Sequence, residues 1–109
     1  MRNGIYRVSY DSTRGAGSGV SILNNGRISG GDKTHYFAGT YSEHGTCFTG
    51  EVEARRHYRD AAPPTVPDLD ILHYVIEGTC GTDFVQARAQ VPELPGHVVH
   101  LTYKWLCEL

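Results

Sequence analysis

The side chains most able to bind a metal ion or to act as nucleophiles are six histidines and three cysteines. His97 and His100 stand three positions apart, so on a strand they point to opposite faces and do not chelate one ion together. Cys47, Cys80 and Cys107 are odd in number and lack the C-x-x-C spacing of a zinc site. The sequence therefore predicts no metal site, no cofactor and no disulfide framework. We expect Cys47 and Cys107 to pack near strand ends and Cys80 to lie in a turn.

Side chains paired for general acid–base or nucleophilic catalysis are also few. Glu51 and Glu53 share one face of an alternating segment, as an acid–base pair would, but solvated outer-face residues near Arg55 and Arg56 explain them as well. No serine lies in a G-x-S-x-G motif. The glycines at 15, 17 and 19 lack the G-x-G-x-x-G spacing of a nucleotide loop, and a strand follows them instead of a helix. We predict a protein without enzymatic activity and without catalytic residues.

Length and charge narrow the class of protein further. The chain has 109 residues, which predicts a single domain over residues 1–109. Ten Lys and Arg residues stand against twelve Asp and Glu residues, and this net charge of −2 argues against direct nucleic-acid binding. No run approaches the ~20 apolar residues of a membrane helix, and the charged start lacks the apolar core of a signal peptide. Together with the unpaired cysteines, these features predict a cytoplasmic protein without membrane association.

Alternation of apolar and polar residues predicts strands along nearly the whole chain. Residues 4–11, 47–58 and 98–107 alternate with the period of two that a half-buried strand requires. Asn25-Gly26 tolerates the positive φ angles of a two-residue hairpin, so the segments on either side should pair antiparallel. We count about eight short strands without crossover helices, which predicts an all-β, antiparallel barrel or sandwich. Residues 59–68 contain three prolines and are expected to form the longest loop, with at most a short helical turn.

The inward faces of these strands carry several aromatic residues. Seven tyrosines, three phenylalanines and one tryptophan are spread over most of the strands. An eight-stranded barrel is just wide enough either for side chains to fill it or for one small apolar ligand, and the sequence leaves both open. The residues expected to line the interior are Tyr6, Val8, Tyr10, Phe48, Val52, Tyr103 and Trp105.

Short motifs follow one another at fixed distances within residues 3–41. They read Asn3-Gly4-Ile5-Tyr6-x-Val8, Gly17-x-Gly19-Val20-x-Ile22, Asn25-Gly26-Arg27-Ile28-x-Gly30-Gly31-Asp32 and Tyr36-x-x-Gly39-x-Tyr41. In this order they resemble the GrlR-type negative regulators of type III secretion, a lipocalin-like bacterial family. Gly30-Gly31-Asp32 is expected to form a turn. The residues taken as the structural motif are Gly17, Gly19, Asn25, Gly26, Gly30, Gly31 and Asp32.

The resemblance implies a lipocalin-like, antiparallel β-barrel that forms a homodimer and captures a transcriptional activator by protein contact, with neither enzymatic chemistry nor DNA contact. In the regulator that names the family, an acidic run in the loop after the strand matching His35–Tyr41 engages the activator. The corresponding loop here is Ser42, Glu43, His44 and Gly45, whose one carboxylate offers fewer charge-assisted contacts. We therefore expect a cytoplasmic regulatory binding protein. The alternative is a carrier or sensor of a small apolar ligand inside the barrel.

Overall fold

Eight β-strands form all the regular structure in the described part of the chain, residues 1–59 and 69–109 of a computed structural model. The strands are β1 (Gly4–Ser12), β2 (Gly15–Asn24), β3 (Arg27–Gly31), β4 (His35–His44), β5 (Cys47–Arg56), β6 (Ile71–Cys80), β7 (Phe84–Gln90) and β8 (Val98–Cys107). Each strand pairs antiparallel with the next, and β1 also pairs with β8, so the sheet closes into a barrel. The predicted eight-stranded, lipocalin-like antiparallel barrel is confirmed. A helical turn is predicted in the 59–68 loop, of which residues 60–68 lie outside the described residues.

The alternating sequence determines which side chains face the barrel interior. Along β5, residues 48, 50, 52 and 54 are buried, and the residues between them lie at the surface or close to it. This is the period of two that the sequence shows over the same segment. Burying apolar area in this way stabilises the barrel by roughly 25 cal/mol per Å² removed from water. The largest fully buried apolar side chains are Tyr6, Phe48, Leu23, Ile28, Leu72 and Val85.

The two ends of the barrel carry different sets of turns. The turns β2–β3, β4–β5 and β6–β7 lie at one end together with residues 1–3, and we call this the terminal end. There the Arg2 guanidinium lies 3.7 Å from the Trp105 ring centroid, and the Trp105 indole N–H donates to the Asn3 carbonyl oxygen at 3.3 Å. The turns β1–β2, β3–β4 and β7–β8 lie at the opposite end, which we call the distal end. Residues 1–3 thus cover the terminal end of the barrel.

The β2–β3 hairpin shows how local sequence sets the register of a strand pair. Asn25 and Gly26 adopt φ angles of 49° and 84°, and both are positive, as a type I′ turn requires. Asn24 pairs with Arg27 across this turn, and the pairing continues along the whole of β3. The antiparallel hairpin predicted from Asn25-Gly26 is confirmed.

The predicted Gly30-Gly31-Asp32 turn is wrong in its position. Gly30 and Gly31 are the last residues of β3, and the turn begins at Asp32, whose backbone N–H donates to the His35 carbonyl oxygen at 2.9 Å. A Cβ at position 30 would meet the backbone carbonyl of Val20 on the neighbouring strand. Glycine at this position therefore allows the two strands to approach closely. In the sequence alone, a glycine in this role cannot be distinguished from a glycine in a turn.

The cysteines match the expectation only in part: Cys47 and Cys107 lie at strand ends, as predicted, but are exposed instead of packed, and Cys80 does not lie in a turn. Cys80 is the last residue of β6 and is buried, while Cys47 and Cys107 are exposed. Cys80 shares the inward face of β6 with the buried Ile76, whereas Cys47 directly precedes the inward Phe48 and so points outward. Alternation along each strand, rather than nearness to a strand end, decides which cysteine is buried.

Candidate functional site

An interior cavity of about 60 Å³ lies near the distal end of the barrel. Most of its wall consists of apolar side chains from β1, β4, β5, β6 and β8, which the alternation of each strand directs inward. Polar atoms in a small apolar space are the features that orient a ligand. The residues that bring polar groups to this cavity are Tyr10, Asp32, His35, Tyr74 and Tyr103.

The residues predicted to line the interior divide between the two ends of the barrel. Those that line the distal-end cavity are Val8, Tyr10, Val52 and Tyr103. Tyr6 and Phe48 are fully buried toward the terminal end, where Trp105 is half-buried beneath Arg2. Side chains therefore fill the terminal half, and the open space lies in the distal half.

Asp32 lies at this cavity and is held by hydrogen bonds from neutral donors. Its Oδ1 accepts from the backbone N–H groups of Thr34 at 2.9 Å and of His35 at 2.8 Å, and its Oδ2 accepts from the Tyr10 hydroxyl. Burial alone would raise the pKa of this carboxyl, but the hydrogen bonds outweigh burial and hold its pKa below the usual value. Asp32 is therefore an ionised carboxylate at neutral pH. The sequence marked Asp32 as a turn residue and gave no sign that it reaches the interior.

Glycines on β2 make room for the contact between Tyr10 and Asp32. Gly19 pairs with the inward-facing Val8, and a Cβ at position 19 would lie 3.0 Å from the Asp32 Cβ. Gly17 pairs with Tyr10 one step nearer the distal end. The Gly-x-Gly spacing that superficially resembles a nucleotide loop is thus a strand with small residues beside the cavity.

His35 is the polar residue buried most deeply at this end of the barrel, with 3% of its surface exposed. Its Nδ1 lies 2.8 Å from the Thr34 hydroxyl oxygen, and its Nε2 lies 3.5 Å from the Leu69 carbonyl oxygen. Burial lowers the pKa of the imidazole, so His35 is neutral at pH 7. No sequence motif marked His35, although its place at the start of an alternating aromatic segment suits an inward residue.

Acidification is expected to lower the free energy of unfolding of this protein. Burial lowers the pKa of His35 and of His97 in the folded state. As the pH falls below about 6.5, the unfolded chain therefore binds protons that the folded chain does not, and stability decreases. Urea unfolding at pH 7, 6 and 5 measures this loss, which we expect to be smaller in His35→Gln than in the wild type. Equal losses in the two proteins would contradict the assignment to His35.

Tyr74 and Tyr103 also line this cavity. Tyr103 is 4% exposed, and burial raises the pKa of both phenols, that of Tyr74 to about 12. Over residues 1–59 and 69–109, neither hydroxyl has a hydrogen-bond partner. The sequence predicted Tyr103 but missed Tyr74. The signal that could have identified Tyr74 is its spacing: it stands two positions from both Leu72 and Ile76 on β6 and so shares their inward face.

The predicted partner-binding loop lies at the terminal end, across the barrel from the cavity. Ser42, Glu43 and His44 are the last residues of β4, Gly45 opens the turn after it, and all four are exposed. The Glu43 carboxylate accepts from the Met1 ammonium at 2.9 Å. The one acidic group of this loop is therefore already engaged within the chain.

One row of paired residues runs around the outside of the barrel, and we call it the outer row. Its four large apolar residues are 42–49% exposed. Three cationic side chains belong to the same row: Lys104 and Arg7 are neighbours in it, and Arg55 lies between Tyr36 and Ile71 and forms an ion pair with Glu53 at 2.6 Å. In order of strand pairing, the outer row is Phe84, Lys104, Arg7, Val20, Gly31, Tyr36, Arg55 and Ile71.

Other groups weighed for chemistry in the sequence lie apart from the cavity. Glu51 and Glu53 are both on the outer face of β5. Among the described residues, no three His, Cys, Asp or Glu side chains come together as metal ligands. Residues 1–59 and 69–109 also contain no helix long and apolar enough to cross a membrane.

Comparison with known proteins assigns no family to this chain. It matches no protein-family model, and no match is found among curated proteins. The resemblance to GrlR-type regulators thus rests on the motifs within residues 3–41, and membership of that family stays a prediction.

Proposed function

We propose that this chain is a non-enzymatic regulatory protein of the bacterial cytoplasm, which binds a transcriptional activator and sequesters it, as GrlR-type regulators of type III secretion do. The motifs within residues 3–41 suggest this family, and the eight-stranded barrel is the fold that the family implies. In this proposal the protein contacts neither nucleic acid nor membrane. The observation that carries the proposal is the outer row.

The outer row has the composition of a protein-binding surface. The outer row exposes apolar area that water solvates poorly at Val20, Tyr36, Ile71 and Phe84. Its three cationic side chains lie between Phe84 and Val20 and between Tyr36 and Ile71. Aromatic residues and arginine are enriched at protein interfaces, because they combine a large apolar area with polar atoms that orient the partner. A complementary partner surface carries apolar side chains with carboxylates between them.

The loop after β4 contributes less than it does in the family's name-giving regulator. A partner that recruits Glu43 has to compete with the Met1 ammonium for the same carboxylate. An exposed ion pair of this kind is worth about 1 kcal/mol or less, so it weakens the loop as an anionic contact without blocking it. We therefore assign Ser42–Gly45 a secondary role and the outer row the main one.

A homodimer is part of the same proposal, since the family resemblance implies one. Light scattering after size-exclusion chromatography should give twice the monomer mass of 12.0 kDa. A monomer at all concentrations from micromolar to millimolar would contradict this part of the proposal.

Affinity capture from source cells tests the main proposal. The bait proteins are the wild type and a row variant that combines Val20→Ser, Tyr36→Ser and Ile71→Ser. We expect the wild type to recover a DNA-binding transcriptional activator and the row variant to lose most of it. Circular dichroism should show the same strand signal for both baits, because the three side chains lie outside the core.

The matched control for the row variant is Val75→Ser. Val75 is 47% exposed on the outer face of β6 but lies outside the outer row. The Val75→Ser bait should therefore recover the same amount of activator as the wild type. Equal recovery by all three baits, or recovery of no activator by any of them, would contradict the proposal.

The second candidate function, favoured by the distal-end cavity, is that of a carrier or sensor of a small ligand. Ligand pockets commonly span about 300–1,000 Å³, and a cavity of about 60 Å³ is far smaller. Only a ligand of a few heavy atoms fits without movement of the barrel. The polar groups at the cavity restrict that ligand further.

A further inference from the structure

We propose that the distal-end cavity binds a small organic cation, of the size of a methylated ammonium group. The site consists of the Asp32 carboxylate and the rings of Tyr10, Phe37, Tyr74 and Tyr103. It lies at the end of the barrel opposite the predicted partner-binding loop. The inference does not depend on the regulatory function proposed above.

The charge of Asp32 determines which sign of ligand the cavity attracts. Its hydrogen-bond donors are two backbone N–H groups and the hydroxyls of Tyr10 and Thr34, all of them neutral. Within the described ranges, Asp32 has no lysine or arginine partner, and the neighbouring His35 is held neutral by burial. A half-buried carboxylate without a counter-charge attracts a cation and repels an anion, which selects the sign of the ligand.

Aromatic rings form much of the wall of the cavity. Phe37, Tyr74 and Tyr103 approach the cavity from β4, β6 and β8, and Tyr10 approaches it from β1. The faces of aromatic rings attract cations, and aromatic cages bind quaternary ammonium groups in proteins. A carboxylate beside several rings suits an alkylated ammonium better than a metal ion, which needs more oxygen, nitrogen or sulfur ligands than this cavity offers.

The size of the cavity matches a small alkylated ammonium group. A cavity of about 60 Å³ holds several water-sized groups, since each needs roughly 10–15 Å³. This is the scale of a trimethylammonium group, with its nitrogen and three methyl carbons. Within the described residues the Tyr103 hydroxyl has no hydrogen-bond partner, so its oxygen adds to the negative surface that a cation would face. A purely apolar ligand would leave the Asp32 charge uncompensated.

Paired ligands of one shape test the proposal on the purified protein. Choline carries a trimethylammonium group, and 3,3-dimethylbutan-1-ol is its neutral isostere with a tert-butyl group in the same place. Titrations followed by calorimetry and by amide chemical shifts should show choline binding about tenfold or more tightly than the alcohol. Equal affinity would show an apolar site and would overturn the proposal. Absence of choline binding at tens of millimolar would overturn it too.

Variants at the cavity separate the charge from the rings. Asp32→Asn keeps the side-chain size and the acceptor for the Thr34 and His35 N–H groups, and it should remove the preference for choline. Tyr74→Leu should weaken choline binding, whereas Tyr74→Phe keeps the ring and should retain it. An unchanged preference in Asp32→Asn, or equal affinities in the two Tyr74 variants, would contradict the assigned roles. If Asp32→Asn does not fold, the comparison of choline with its neutral isostere and the comparison of Tyr74→Leu with Tyr74→Phe still test the proposal.

Discussion

Replacing Phe48 with alanine is expected to lower the free energy of unfolding by about 3–5 kcal/mol. The Phe48 ring is 1% exposed, stacks on Tyr41 with ring centroids 5.5 Å apart, and tilts against Tyr103 at 6.4 Å. Truncation removes the buried area of the ring and leaves a cavity that rigid strands on all sides cannot close. The loss of stability should appear as a lower urea concentration at the unfolding midpoint, with little change in the dependence of the unfolding free energy on urea concentration.

Phe84→Ala is the matched control, since it makes the same chemical change on the outer face. Phe84 is 44% exposed, so its truncation should cost about 1 kcal/mol or less. Similar losses for the two variants would contradict the placement of Phe48 in a filled terminal half of the barrel.

Gly30→Ala is expected to lower the free energy of unfolding by about 2–5 kcal/mol. Gly30 adopts a φ of +152°, and its added Cβ would overlap the Val20 carbonyl oxygen and lie 2.8 Å from the Ser21 Cα. Both atoms belong to the backbone of β2, so relief requires separation of the β2–β3 pair. Thermal unfolding measures the loss.

Gly45→Ala serves as the control for this prediction. Gly45 also has a positive φ, of +62°, but nothing lies within 4 Å of its added Cβ. It should cost about 1–2 kcal/mol, from backbone strain alone. A larger loss in Gly45→Ala than in Gly30→Ala would contradict the close approach of β2 and β3.

Much of the fold could be predicted because alternation and turn chemistry are local properties. The segment around Phe48 alternates with a period of two, and Asn25-Gly26 suits one kind of hairpin turn, so strands and a register follow from neighbouring residues. The same local rule explains the failure at Gly30, where glycine permits close packing between strands instead of a turn. Which of these two roles a glycine plays depends on the partner strand.

The site was harder to predict because alternation assigns a face and not a position along the barrel axis. Tyr6 and Tyr10 share the inward face of β1, yet only Tyr10 reaches the distal-end cavity. Asp32 accepts a hydrogen bond from Tyr10, which is 22 residues away in the sequence, and Glu43 accepts one from Met1, which is 42 residues away. Contacts of this separation depend on the stagger of the closed sheet, which no single segment encodes.

Site-specific photo-crosslinking in source cells tests the central claim, that the protein acts by binding an activator through the outer row. A benzoylphenylalanine replaces Tyr36 in the outer row or, as the control, Val75 outside it. The account predicts that the probe at position 36 crosslinks to a transcriptional activator and that the probe at position 75 does not. Crosslinking of the activator at position 75 alone, or of no activator at either position, would contradict the account.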